Sequence, residues 1–206
     1  GLTHKEDFLT GSRAAAAGGI TTIIDMPNTK PPTLTIKELK RKIKLAEKSV
    51  VNYGFHFGSS VDNLSEIKKA KNVASTKIFM DLTTGKMKID DEKVLELIFK
   101  ASKVVAVHAE EEKVKQAVKL SKKTNKKLYL CHISSAQEIK FLKKNKNSKI
   151  FIEVTPHHLH LSAKKKDRFM DVKPELKSKK DIDALWGAIN NGLVDTIGSD
   201  HAPHTI

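Results

Sequence analysis

Cysteine is almost absent from this 206-residue sequence, in which Cys131 stands alone. That excludes a disulfide framework within the chain and fits a reducing, cytoplasmic compartment. Aromatic residues make up 5% of the chain, and only 3 of its 38 basic residues are arginine. Arginine is the better fork for phosphate, and aromatic stacking is what nucleic-acid strands require. No nucleic-acid partner is therefore expected, despite a formal charge of +14. No apolar run approaches the roughly 18 residues of a membrane span, so no membrane association is expected either. No G-x-G-x-x-G follows an apolar run, which weakens a dinucleotide-binding reading. The chain opens on Gly1 rather than Met, without a charged-then-apolar leader, and reads as a piece of a longer chain.

What is present is enough for a packed core. Hydrophobic residues make up 39% of the chain, which suits a single domain over residues 1–206, or most of a larger one. The lysines are scattered through helix-like stretches such as 36–48 (IKELKRKIKLAEK), interleaved with glutamates. Such a pattern reads as a solvated surface of the Lys/Glu-rich kind common in heat-adapted proteins. Its positive field would also draw in an anionic small-molecule substrate.

Seven short runs of β-rich residues recur along the chain: 20–26 (ITTIIDM), 53–58 (YGFHFG), 76–82 (TKIFMDL), 104–109 (VVAVHA), 128–133 (LYLCHI), 150–155 (IFIEVT) and 194–199 (VDTIGS). Each is nearly continuous in apolar character, as strands are when both faces of a parallel sheet are covered. Helical periodicity fills the intervals, at 5–17, 35–48, 63–71, 91–102, 110–123, 135–145 and 180–191. The alternation predicts an α/β fold, either a (β/α)8 TIM-type barrel or an open doubly wound sheet. The polar, chemically able residues Asn28, His108, His132 and Asp200 fall at the ends of the runs, which is how barrel enzymes place their chemistry. Seven runs make an incomplete barrel of about seven strands out of eight, the eighth expected before Gly1.

His108, His132 and Asp200 occupy equivalent strand ends, and Lys77 lies inside an apolar strand. One strand-end histidine is ordinarily just a satisfied polar residue. Two histidines and an aspartate at three equivalent positions can instead converge on one barrel mouth and hold a divalent metal. A lysine cation there would repel the metal. A carbamate, formed when its amine adds carbon dioxide, is anionic and can bridge two metal ions. Cys131, next to His132, is expected to be a free buried cysteine.

In order along the chain, GSRAAAAGGITTIIDMPNTKPP, TKIFM, VAVHAE, CHISS, EVTPHHLHLS and SDHAPHT resemble the dihydroorotases of the amidohydrolase superfamily. The resemblance runs over nearly the whole chain, and DMPNT with TPHHL and SDHAPH is a specific combination. It implies a (β/α)8 barrel and a zinc hydrolase of pyrimidine biosynthesis that interconverts N-carbamoyl-L-aspartate and dihydroorotate. It implies two Zn2+ per subunit bridged by carboxylated Lys77, with His108 and His132 as ligands of one zinc. Asp200 is implied as a ligand that also moves the catalytic proton. Asn28, His204, Lys173 and Thr83 are implied as substrate-binding residues, and His157 and His158 as lying behind the ligands or in packing. It also allows a homo-oligomer, or association with aspartate transcarbamoylase.

One departure stands out. The family carries a His-x-His-x-Arg motif at the end of its first strand, just before the glycine matching Gly1, and this chain does not show it. By itself the chain is therefore expected not to build a complete binuclear site and to be inactive. Two alternatives follow: a sister cyclic amidohydrolase of the allantoinase or hydantoinase type, and an inactive dihydroorotase-like subunit that scaffolds a partner. TPHHL and SDHAPH favour the dihydroorotase reading over the sister enzymes.

Overall fold

The computed structural model describes residues 2–81, 87–163 and 170–204. Seven strands, β1 (Thr22–Asp25), β2 (Asn52–Gly58), β3 (Ser75–Phe79), β4 (Val104–His108), β5 (Lys127–Leu130), β6 (Ile150–Val154) and β7 (Thr196–Ile197), form one sheet in chain order, every neighbouring pair parallel. The connecting helices are α1 (Phe8–Ala17), α2 (Ile36–Ala46), α3 (Leu64–Lys69), α4 (Glu92–Ala101), α5 (Glu112–Thr124), α6 (Ala136–Asn145), α7 (Pro156–His160) and α8 (Lys179–Asn190). Sequential parallel order with a helix at each crossover is barrel topology; a doubly wound sheet would reverse its order partway. The structure is an α/β curled half-barrel, consistent with an incomplete TIM barrel.

Helix starts follow from local chemistry. Thr35 accepts a hydrogen bond from the Glu38 amide, Asp91 from those of Lys93 and Val94, and Ser135 forms a reciprocal capping box with Glu138. Helix α1 ends at Gly18-Gly19, where Gly19 takes φ of 79°, a conformation a side chain would strain.

Alternation along the strands divides the sheet into two chemistries. One face carries Ile78, Val105, Val107, Leu128, Leu130, Ile152 and Val154. These pack with Leu95 and Phe99 of α4, Val114 and Val118 of α5, Leu142 of α6 and Leu185 of α8 into one core. The other face carries Lys77, Tyr129, Cys131, Glu153 and Thr196, which contact one another. The near-continuous apolar reading of the strands therefore holds for the helix-covered face and understates the polarity of the inner one. Sequence periodicity did not mark α7, which is only five residues long. The last run shrinks to the two-residue β7.

A buried carboxylate ties together the loops that follow β4 and β5. Glu138, 3% exposed, accepts the Ser134 and Ser135 amides at 3.0 and 2.9 Å on one oxygen and the Glu111 amide at 2.9 Å on the other. Glu111 sits at φ of 44°, a strained backbone held by that contact. Hydrogen bonds to a charged acceptor contribute about 1.5–3 kcal/mol each, although their losses do not add fully. Glu138→Ala should therefore lower unfolding stability by about 3 kcal/mol, read from urea midpoints. An unchanged midpoint would show that the two loops hold themselves.

Candidate active site

Lys77 lies in β3 and is 1% exposed, although it is among the longest cations a chain can bury. Its Nζ is 2.9 Å from Cys131 Sγ and 5.3 Å from the centre of the Phe79 ring. Among the described residues no carboxylate lies within ion-pairing distance of it. Cys131 is free and buried, as expected, and burial pushes its thiol pKa up.

His108 ends β4 and His132 follows β5; both are buried. His108 Nδ1 faces His132 Nε2 at 2.9 Å, the rings edge to face with centroids 4.6 Å apart. The remaining nitrogens, His108 Nε2 and His132 Nδ1, are buried without a hydrogen-bond partner among the described residues. Desolvation, and next the nearby Lys77 charge, lower the pKa of His108 to about 4 and hold that of His132 well below its usual value. Both rings are neutral at pH 7, the form that ligates metals.

The backbone at His132 is unusual, with φ of 39°. Glu153 of β6 steadies it: Oε1 accepts the His132 amide at 2.9 Å, and Oε2 accepts the Tyr129 hydroxyl at 2.6 Å. Tyr129 Oη also lies 2.8 Å from Thr196 Oγ1, so the contact crosses three strands. A Cβ at Gly198 would stand 2.2 Å from Glu153 Oε2; a glycine there lets the carboxylate reach His132. Sequence reasoning assigned no role to Glu153, which falls inside the run 150–155. Its role depends on a pairing between strands that no local pattern marks. His56 of β2 was likewise missed: it is buried, bonded to Ser75 Oγ at 2.7 Å, and its pKa is lowered to about 3 by desolvation and then by Lys77.

The structure places the remaining predicted residues less centrally. Asp200 is exposed at φ of 49°, near enough for its charge to act on Cys131 and His157. Asn28 is exposed in the loop after β1. His204 Nδ1 is 3.0 Å from Lys5 Nζ, and neighbouring His201 meets Glu6 at 2.9 Å, which joins the segment after β7 to the start of the chain. Lys173 is exposed and pairs with Glu175 at 2.8 Å, which raises its pKa. Thr83 lies outside the described residues. His158 is buried and His157 half-buried, both in α7.

Among the described residues, no three His, Cys, Asp or Glu side chains are gathered closely enough to hold a metal. The donor set still fits one in part. Two neutral imidazoles face each other, each with a buried nitrogen left unpartnered, beside a lysine whose carbamate would supply the missing oxygen donor.

These histidines make the metal-free fold sensitive to acid. Burial lowers the pKa of His56 to about 3 and those of His108 and His158 to about 4, and holds that of His132 well below its usual value. Unfolded histidine takes its proton near 6.5, so between pH 6.5 and 4 the unfolded chain binds more protons and stability falls with falling pH. A single such histidine costs about 2 kcal/mol at pH 5. Urea midpoints of the metal-free chain should be clearly lower at pH 5 than at pH 7; equal midpoints would contradict the assignment.

Comparison with known proteins identifies the family. Residues 3–206 match the amidohydrolase family. The dihydroorotase of Methanosarcina acetivorans is 35% identical over 251 aligned residues, covering 99% of this chain and 54% of that protein. The multifunctional protein CAD of Squalus acanthias is 31% identical over 217 residues, covering all of this chain and 10% of its own length. Among solved structures, the L-hydantoinase (dihydropyrimidinase) of Arthrobacter aurescens superposes with a TM-score of 0.87 at 27% identity, over 96% of this chain and 54% of that one. The chain thus spans about half the length of relatives such as the Methanosarcina enzyme. With a parallel sheet in barrel order and a match over all but its first two residues, this chain belongs to the amidohydrolase family.

Proposed function

We propose that this chain is the part of a dihydroorotase-type cyclic amidohydrolase that holds one metal position and moves the catalytic proton. The observation that carries the reading is the buried, neutral pair His108–His132 with facing nitrogens, on the same inner face as the buried Lys77. In this reading His108, His132 and carboxylated Lys77 would hold a pair of Zn2+ ions, with Asp200 at the edge of the site. When bound, such a pair supplies Lewis acidity and lowers the pKa of water toward neutrality.

The chain's own residues do the rest. The Lys77 ammonium gives up one proton to solvent; the neutral amine then forms an N–C bond with carbon dioxide and releases a second, so a cation is replaced by an anion in the same buried place. Asp200 takes a proton from the attacking water and passes it to the leaving amide nitrogen; in ring closure it moves the proton the other way. Asn28, His204, Lys173 and Thr83 bind the anionic substrate. For Lys173 and His204 this requires leaving Glu175 and Lys5, contacts that exposed side chains exchange at little cost. Pyrimidine biosynthesis in the cytoplasm belongs to the same reading. Similarity to a multifunctional protein supports association with other enzymes of the pathway, aspartate transcarbamoylase among them, or a homo-oligomer.

A hydantoinase is the second reading, favoured by the superposition on the Arthrobacter enzyme. The higher identity to a dihydroorotase, 35% against 27%, favours the first. The full-length protein should hydrolyse dihydroorotate with a kcat/KM at least tenfold above that for hydantoin or allantoin. The reverse order would install the second reading.

The metal assignment has its own test. Lys77→Arg keeps a cation but forms no carbamate, so the full-length variant should lose bound zinc and nearly all turnover. His108→Ala and His132→Ala should each lower zinc content by elemental analysis, because a lost ligand weakens binding by several kcal/mol, roughly. Near-normal activity and two bound metals in Lys77→Arg would make Lys77 a structural lysine.

A further inference from the structure

The structure carries a second polar chain, apart from the facing histidines. At the carboxyl end of β6, Thr155 Oγ1 lies 2.7 Å from His158 Nδ1 and 3.1 Å from His157 Nε2. His158 Nε2 lies 3.0 Å from the carbonyl oxygen of Pro174. Thr155 and His158 are buried, 0% and 2% exposed, so water has little chance to substitute for a missing partner. The rings of His157 and His158 sit 4.4 Å apart between centroids.

The direction of every hydrogen bond follows from one end. A carbonyl oxygen only accepts, so His158 Nε2 carries the hydrogen. A neutral ring protonated at Nε2 accepts at Nδ1, so the single Thr155 hydroxyl hydrogen points there. The hydroxyl then has only lone pairs left for His157, whose Nε2 must therefore be the donor. Neutrality is what burial enforces: desolvation, and then the charge of His157, lower the pKa of His158 to about 4, and desolvation lowers that of His157 as well. The carboxylate of Asp200 acts on His157 in the opposite direction, so the ring lies within reach of that charge.

We propose that the relay Pro174–His158–Thr155–His157 locks His157 in the Nε2–H tautomer, making its Nδ1 a fixed hydrogen-bond acceptor for an N–H group of a cyclic amide substrate. The tautomer rests on the hydrogen-bond geometry and on the burial that keeps the rings neutral, whereas the use made of it rests on the proposed function. The ligand chemistry is specific. A ring amide or ureide presents N–H donors beside its carbonyls, and a histidine of fixed tautomer distinguishes an N–H from a carbonyl at that position. A freely switching ring would accept either. His157 is thus a substrate-orienting residue, and Thr155 and His158 are positioning residues that act through it. The same relay holds the Pro174 carbonyl, and with it the segment bearing Lys173.

Nitrogen-15 NMR of the histidine rings tests the tautomer on the metal-free chain, without any activity assay. His157 and His158 should both show the Nε2–H pattern at pH 7. Thr155→Val keeps the shape of the side chain but removes the hydroxyl; His157 should then become a mixture of tautomers while His158 keeps its Nε2–H against Pro174. Thr155→Ser should restore the wild-type pattern. A His157 protonated at Nδ1, or a His157 pattern unchanged in a folded Thr155→Val chain, overturns the relay. In the full-length protein Thr155→Val should raise KM for dihydroorotate about tenfold, the scale of one hydrogen bond, with zinc content and kcat largely kept. A locked tautomer with an unchanged KM refutes the role in substrate recognition. A wild-type protein that turns over no cyclic amide refutes the proposed function and leaves the NMR result standing.

Discussion

The burial of Lys77 is the constraint around which the inner face of the sheet is arranged. A side chain able to carry a full charge, held at 1% exposure with a thiol at 2.9 Å and no carboxylate in ion-pairing distance among the described residues, is costly unless its surroundings compensate. Its neighbours compensate by staying uncharged. Desolvation, and after it the Lys77 charge, lowers the pKa values of His56, His108 and His132, and burial pushes the Cys131 thiol pKa up. Burial first, and the nearby cation second, thus keep the histidines around it neutral. A change at that amine from cation to anion would reverse the field on all of them.

The fold can carry this because it separates its two tasks by strand alternation. Ile78, next to Lys77, points into the apolar core with Leu95 and Phe99, as do Leu130 and Ile152 on neighbouring strands. Residues one step along face the opposite way and need not contribute to that core. The strain gathers where strands end: His132 and Asp200 both take positive φ without being glycine. Such conformations cost on the order of 1–3 kcal/mol and persist only where the surroundings over-determine them. At His132 the determinant is visible, since the Glu153 carboxylate accepts its amide while anchored to the Tyr129 hydroxyl.

Much of this was legible in the sequence because the signals are local. Seven β-rich runs separated by helical periodicity indicated the strand count and the α/β class, while the sequential order that separates a barrel from a doubly wound sheet is read from the structure. His108 and His132 stood out because each ends such a run, and the structure brings their rings into contact. What stayed hidden depends on partners far apart in the chain. Glu138 reads as an ordinary capping glutamate, and only folding brings the Glu111 amide to its other oxygen. Glu153 meets His132 across 21 positions, and His158 meets Pro174 across 16. Five-residue α7 is too short for a period to register, and two-residue β7 is shorter than the run that predicted it. Asn28 was singled out only by its place at the end of a run and by resemblance, and Lys173 and His204 only by resemblance. In the structure they are exposed, and the latter two hold surface partners.

The lowered histidines connect stability to chemistry. Withholding protons from buried imidazoles makes the fold weaker in mild acid, because the unfolded chain is free to take them. The same withheld protons leave ring nitrogens available as ligands, and a metal that binds only the folded chain returns its binding free energy as stability. Hydrophobic residues of the same size at 108 and 132 would fill the space without the acid penalty. Histidines whose facing nitrogens sit 2.9 Å apart, with their other nitrogens buried and without a partner among the described residues, are what the proposed metal site would use.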